Sequence, residues 1–179
     1  MIYYLDTETT GLYRSEGAEI VELAVLRDDG EVMINSLIKP KKPIPTNASA
    51  IHGITNDMVA DAPLFADIRK QVYKLLRHQE VVIYNASFDL QWLPRLYNIS
   101  AVSCCMLDYA YYYGEFDEYH QSYRWQKLTQ AARQIGYSLP PDLQPHRALA
   151  DCFMTRAVWH YMRDNPRAHN DDDDYDSDI

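Results

Sequence analysis

Short apolar runs alternate with polar breaks along most of the chain. Residues 1–5 open it with an apolar run that predicts a short buried strand. Polar turn residues follow, and residues 19–26 predict a second strand. Asp28-Asp29-Gly30 carries hairpin chemistry, so residues 32–38 form the returning strand of an antiparallel meander. Lys39-Pro40-Lys41-Lys42-Pro43-Ile44-Pro45 is a proline-broken basic loop. A short helix is expected over 47–51. An amphipathic helix is expected over 64–76, with Leu64, Ile68, Val72, Leu75 and Leu76 on one side. Residues 81–84 predict a buried strand, and 90–96 a helix interrupted at Pro94. A last short strand is expected over 102–106 and a helix over 107–113. Another helix, 127–135, stops at Gly136, and a final one leads from the 146–152 segment to about residue 162.

Composition narrows the class. A chain of 179 residues with 47% hydrophobic content suits one domain with a real core. No apolar run reaches about 18 residues, and no basic-then-apolar leader opens the sequence, so neither a membrane span nor a secretory signal is expected. Cys104, Cys105 and Cys152 lack C-x-x-C spacing, which argues against a disulfide framework or a zinc site and for the cytoplasm. The net charge is −9, and residues 171–178 hold six of the acids. The body, near −3 without them, has no overall basic surface for counterion-driven nucleic-acid binding. The domain is expected over 1–165. Residues 166–179 read as an acidic, disordered, solvated tail, with an interaction tail or a brake on nucleic-acid binding as the alternative.

The candidate chemistry starts at Asp6-Thr7-Glu8. Residues i and i+2 of a strand share a face, so Asp6 and Glu8 look the same way, about 7 Å apart along the chain. Two such carboxylates repel each other and resist desolvation, and a divalent cation relieves both. Their hard oxygens suit Mg²⁺ or Mn²⁺. Gly11 would let the following turn run tight. Asp89 lies just past a strand end, where sites form in open α/β sheets. Asp151 falls in the early turns of the last helix, and His146 on the loop before it. The aromatics of residues 109–125 read first as core packing, because Tyr109, Tyr112, Tyr113 and Phe116 keep helical spacing. Stacking of single-stranded bases is the alternative. The lysines of the 39–45 loop read first as an ordinary solvated loop, with attraction of phosphates as the alternative.

Taken together, these segments resemble the DnaQ-like 3′→5′ exonucleases of the DEDDh group. Asp6-Thr7-Glu8-Thr9-Thr10-Gly11-Leu12 is similar to the family's first motif, Asn85-Ala86-Ser87-Phe88-Asp89 to its second, and His146-x-x-x-x-Asp151 to its third. His52-Gly53-Ile54-Thr55 is similar to a signature of the polymerase proofreading and exodeoxyribonuclease X-like branches. The resemblance spans about residues 1–162. It implies a ribonuclease H-like α/β fold, a mixed sheet of three antiparallel then two parallel strands with helices on both sides.

It also implies a mechanism. Two Mg²⁺ or Mn²⁺ ions would be held by Asp6, Glu8, Asp89 and Asp151, with Asp6 bridging both. Glu8 and Asp151 would serve the ion that holds the attacking water, and Asp89 the other. His146 would act as general base, and the product would be a 5′-mononucleotide. Thr9, Thr10, Gly11 and Leu12 would receive the 3′ end, Leu12 as a wedge on the last base, with His52 and Phe88 as weaker candidates for lining that pocket. For Leu12 and Phe88, plain core packing is the alternative. The expected partner is the 3′ end of a nucleic acid, single-stranded DNA first. A polymerase or another replication or repair protein is a further partner that the sequence does not name. Two rivals stay open: a 3′→5′ exoribonuclease of the same family, as in ribonuclease T or oligoribonuclease, and a catalytically silent end-binding subunit.

Overall fold

A computed structural model describes residues 1–167; the acidic stretch 168–179 lies outside the described residues. Five strands form one mixed sheet: β1 (Ile2–Thr9), β2 (Ile20–Arg27), β3 (Val32–Leu37), β4 (Glu80–Ile83) and β5 (Ala101–Cys104). Their order is β3-β2-β1-β4-β5. The first three are antiparallel neighbours, and β4 and β5 add in parallel beside β1. This is the expected ribonuclease H-like arrangement. The β2–β3 hairpin closes where Arg27 donates its N–H to the Glu31 carbonyl, with Gly30 at φ +93°.

The helices are α1 (Thr46–His52), α2 (Phe65–Leu76), α3 (Ala86–Asp89), α4 (Leu96–Ile99), α5 (Cys105–Tyr113), α6 (Leu128–Gln134) and α7 (Ala148–Asp164). Strand alternation sorts the sheet's residues onto two faces. Tyr3, Leu5, Leu23, Val25, Val81 and Ile83 pack with Val72 and Leu76 of α2. Tyr4, Ala24, Leu26 and Val82 pack with Tyr109 of α5, Ala131 of α6 and Cys152 and Val158 of α7. Asp6 and Glu8 fall in step with Tyr4, and Glu22 with Ala24, so all three acids look toward the α7 side. That register aims the candidate site at the start of one helix.

Several local expectations change. The first strand runs on to Thr9, because its ladder with β2 continues to the Thr9–Ile20 pair. The helix expected over 90–96 is absent. The chain makes two single-turn helices instead, α3 and α4, with turns around Pro94, whose ring and missing N–H interrupt a continuous helix. The last sheet strand stops at Cys104 and α5 starts at once, with Met106 donating its N–H to the Tyr84 carbonyl.

The aromatic segment also differs. Tyr109 is buried, and Tyr112 is half-buried with its ring 6.0 Å from that of Tyr109. Tyr111, Phe116, Tyr119, Tyr123 and Trp125 are exposed, so core packing does not hold for most of the set. Gly114, at φ +79°, ends α5 and breaks the helical spacing. A small hairpin, β6 (Phe116–Asp117) with β7 (Ser122–Tyr123), then carries the rings away from the core.

Candidate active site

Three acids converge. Asp6 and Glu8 come from β1, and Asp151 from the first turn of α7. One carboxylate oxygen of each lies within 4.8 Å of the others. Asp89 stands just outside this trio, nearly fully buried at the end of α3. Thr7 Oγ1 donates to its Oδ1 at 2.7 Å, so a β1 hydroxyl fixes the fourth acid beside the other three.

The electrostatics are those of crowded carboxylates. Burial, then the charges of Asp89, Asp151, Glu8 and Glu22, hold Asp6 well above the usual carboxylate range. Burial and the same kind of crowding push Glu8 up to about 9, opposed by Arg147. Burial raises Asp89 to about 7 against the pull of the Thr7 bond. It raises Asp151 to about 7 against a hydrogen bond from the His146 backbone. Four ionised carboxylates in so small a volume need positive charge. A hard-oxygen trio of this span fits Mg²⁺ or Mn²⁺, and nitrogen and sulfur donors are absent from it.

His146 is exposed, separated from α7 by Arg147 alone. Its backbone is left-handed, φ +62°, a conformation disfavoured for a residue with a Cβ. Its N–H donates to Asp151 Oδ1 at 3.1 Å. The imidazole is therefore tethered next to a site acid through the main chain, while its ring lies outside the acid trio.

The turn after β1 is pinned by its threonines. Thr9 Oγ1 donates to the Gly11 carbonyl at 2.8 Å, and Thr10 Oγ1 accepts the Glu19 N–H at 2.9 Å. Gly11 is not left-handed, and a Cβ there would meet Ala18 at ordinary contact distance, so the turn does not demand glycine for its backbone. Leu12 is 66% exposed, which removes core packing as its role. Phe88 is half-buried, its ring 5.2 Å from that of Trp92 and edge-on to it. His52 is buried: its Nδ1 accepts the Ile54 N–H at 3.0 Å, and its Nε2 has no hydrogen-bond partner. Burial lowers its pKa, and the ring lies in the interior rather than on the surface of the fold.

Sequence reasoning missed two supports. Thr7 is one. The other is Glu22, an acid inside the apolar strand β2, paired in register with Glu8. Its buried carboxylate accepts from Arg147 Nε at 3.0 Å and from an Arg147 terminal nitrogen at 2.6 Å. It also accepts the Ala148 N–H at 2.9 Å. The signal was present: one charged residue in Ile20-Val21-Glu22-Leu23-Ala24-Val25-Leu26.

With this geometry in hand, likeness to known proteins defines the class. An exonuclease family model, the RNase T type, matches residues 4–159. The "Uncharacterized exonuclease CP81" of Escherichia phage 186 is 41% identical over 87% of this chain and 84% of its own length. Exodeoxyribonuclease 10 of Escherichia coli K12 is 32% identical over 88% of this chain and 66% of its own. A solved structure of Exonuclease X with 5′-overhanging duplex DNA is 29% identical, covers 94% of this chain and 95% of that one, and superposes with a TM-score of 0.70. The chain belongs to the DnaQ-like, DEDDh exonuclease family and is an exonuclease. Among the described residues, no helix is long and apolar enough to cross a membrane.

Proposed function

We propose that this chain is a metal-dependent 3′→5′ exodeoxyribonuclease that releases 5′-mononucleotides from DNA ends. The observation that carries the reading is the convergence of Asp6, Glu8 and Asp151 within 4.8 Å, with Asp89 fixed beside them by Thr7. These four acids are the residues that would hold two Mg²⁺ or Mn²⁺ ions. When bound, such ions supply charge neutralisation, an activated water and stabilisation of the leaving 3′ oxygen.

The chain's own groups do the rest. His146, exposed and one residue from the N-terminal end of α7, takes the proton of the attacking water after its side chain swings toward the acids. Its main-chain bond to Asp151 anchors the backbone of the loop beside that acid. The 9–12 turn receives the terminal nucleotide, and the exposed Leu12 side chain rests on the last base. Phe88 closes the side near Asp89. His52 acts from the interior, where its Nδ1 accepts the Ile54 N–H and fixes the segment after α1.

DNA is favoured over RNA by the relative named exodeoxyribonuclease and by the neighbouring structure that carries DNA. Matched DNA and RNA oligonucleotides, labelled at the 5′ end, test the choice. Faster shortening of DNA supports the reading. Faster shortening of RNA replaces it with an exoribonuclease. If neither shortens until a polymerase or repair protein is added, the chain works as a subunit.

A further inference from the structure

Five cations gather on one side of the 9–12 turn. Lys39, Lys41 and Lys42 come from the loop after β3, Arg14 from the turn after β1 and Arg69 from α2. The loop is built to hold them there. Glu19 accepts the backbone N–H groups of Lys41 at 2.9 Å and Lys42 at 3.3 Å, so its carboxylate fixes the main chain. Pro40, Pro43 and Pro45 stiffen the same segment. Lys42 lines a concavity of about 260 Å³ together with Thr10, Gly11 and Leu12, and Glu16 is the acid on its wall. Arg14, Lys39, Lys41 and Arg69 line a second one of about 330 Å³, and Glu19 is the acid on its wall. Both include Ala18, so the two hollows adjoin.

Among the described residues, ion pairs engage Arg27, Arg124, Arg147 and Arg163, and none of the five. Lys39 Nζ and Arg14 donate instead to neutral carbonyls, those of Ala60 and Gln91, and the Arg69 guanidinium lies 5.9 Å from the centroid of the Phe65 ring. In a chain of net charge −9, five unpaired cations along one track beside the turn are a local departure that calls for an anionic ligand.

We infer that the substrate strand, upstream of its terminal nucleotide, runs from the 9–12 turn over Lys42, Lys41, Lys39, Arg14 and Arg69, which hold its phosphates. The ligand class is a polynucleotide backbone, bound without base reading. The placement rests on the proposed seating of a 3′ end at the turn.

The test is equilibrium binding of a fluorescent 15-nucleotide single strand by anisotropy across a range of KCl, which needs no hydrolysis. The full chain is compared with a K41Q/K42Q/R69Q variant. A K127Q/R133Q variant, at the start and in the last turn of α6 across the sheet, controls for general loss of positive charge. The triple variant should bind at least tenfold more weakly at 100 mM KCl. Its slope of log K against log[KCl] should shrink by about 2, at about 0.7 per lost phosphate contact. The control should change neither. Equal affinity and slope for the triple variant and the unmodified chain overturn the track, as does an equal loss in the control. If the unmodified chain binds through the track but never shortens DNA, the track stands and the proposed activity falls. If it binds no strand at any salt, both fall.

Discussion

Glu22 and Arg147, 125 positions apart in the chain, meet in a two-pronged ion pair at the root of α7. Arg147 is the residue before the helix and offers no side-chain cap of its own. The Glu22 carboxylate caps from β2 by accepting the Ala148 N–H, where the helix dipole favours an anion. Because Glu22 is paired with Glu8 across the β1–β2 ladder, this contact ties the helix bearing Asp151 to the strand bearing Asp6 and Glu8.

Glu22→Ala removes one partner of a largely buried pair and a helix cap. Breaking a fully buried pair costs about 3–5 kcal/mol. Arg147 keeps about a third of its side chain in water, so roughly 2–3 kcal/mol is expected here. Urea unfolding measures it. Turnover should fall more than stability alone explains, and Glu22→Gln, which keeps an acceptor for Ala148, should recover part of the stability but not the turnover. Unchanged turnover in both variants would mean that the clamp serves the fold only.

The acid cluster sets a pH dependence whose sign follows from linkage. Glu8, Asp89 and Asp151 have raised folded-state values, about 9, 7 and 7. Unfolded carboxyls titrate near 4, so between about pH 4 and 9 the native state holds more protons than the unfolded chain. Stability without metal therefore falls as pH rises through that window. Melting in EDTA should drop steadily from pH 5 to 9, and Mn²⁺ should restore most of the loss. Asp151→Asn should raise the metal-free melting point at pH 8, by at least about 1 kcal/mol or roughly 2–4 °C. A flat profile in EDTA would contradict the crowding.

Leu12 and His52 separate surface contact from support. Leu12→Ala should leave the melting point unchanged and raise KM for a DNA end, because its side chain is exposed. His52→Ala strands the buried Ile54 N–H and should cost about 1–3 kcal/mol. Equal melting points for the two variants would overturn this division.

Much of the site is legible in the sequence because its chemistry is local. An apolar run that ends in Asp6-Thr7-Glu8 fixes both the strand and the shared face of the acids. Asp89 and Asp151 follow from strand-end and helix-start positions in the same way. What escaped depends on contacts between distant segments. The pairing of Glu22 with Arg147 has no local trace, although a lone acid in an apolar strand hinted at a partner. The burial of His52 could not be read, since a histidine suits a pocket wall and an interior alike. Helical spacing does not describe the aromatic segment beyond Gly114, where the left-handed backbone ends the helix. The hairpin beyond is held by Arg124 with Glu115 and Asp117.

The most direct measurement is a gel of 5′-labelled single-stranded DNA incubated with the purified chain in Mg²⁺, Mn²⁺ or EDTA. Asp6→Ala and His146→Ala are run alongside. Expected is a metal-dependent ladder shortening from the 3′ end. It should be abolished in Asp6→Ala with the fold intact, and slowed at least about 100-fold in His146→Ala, with DNA-end binding retained. A ladder that persists in EDTA, shortens from the other end, or survives in Asp6→Ala would contradict the assignment of these acids to 3′-end hydrolysis.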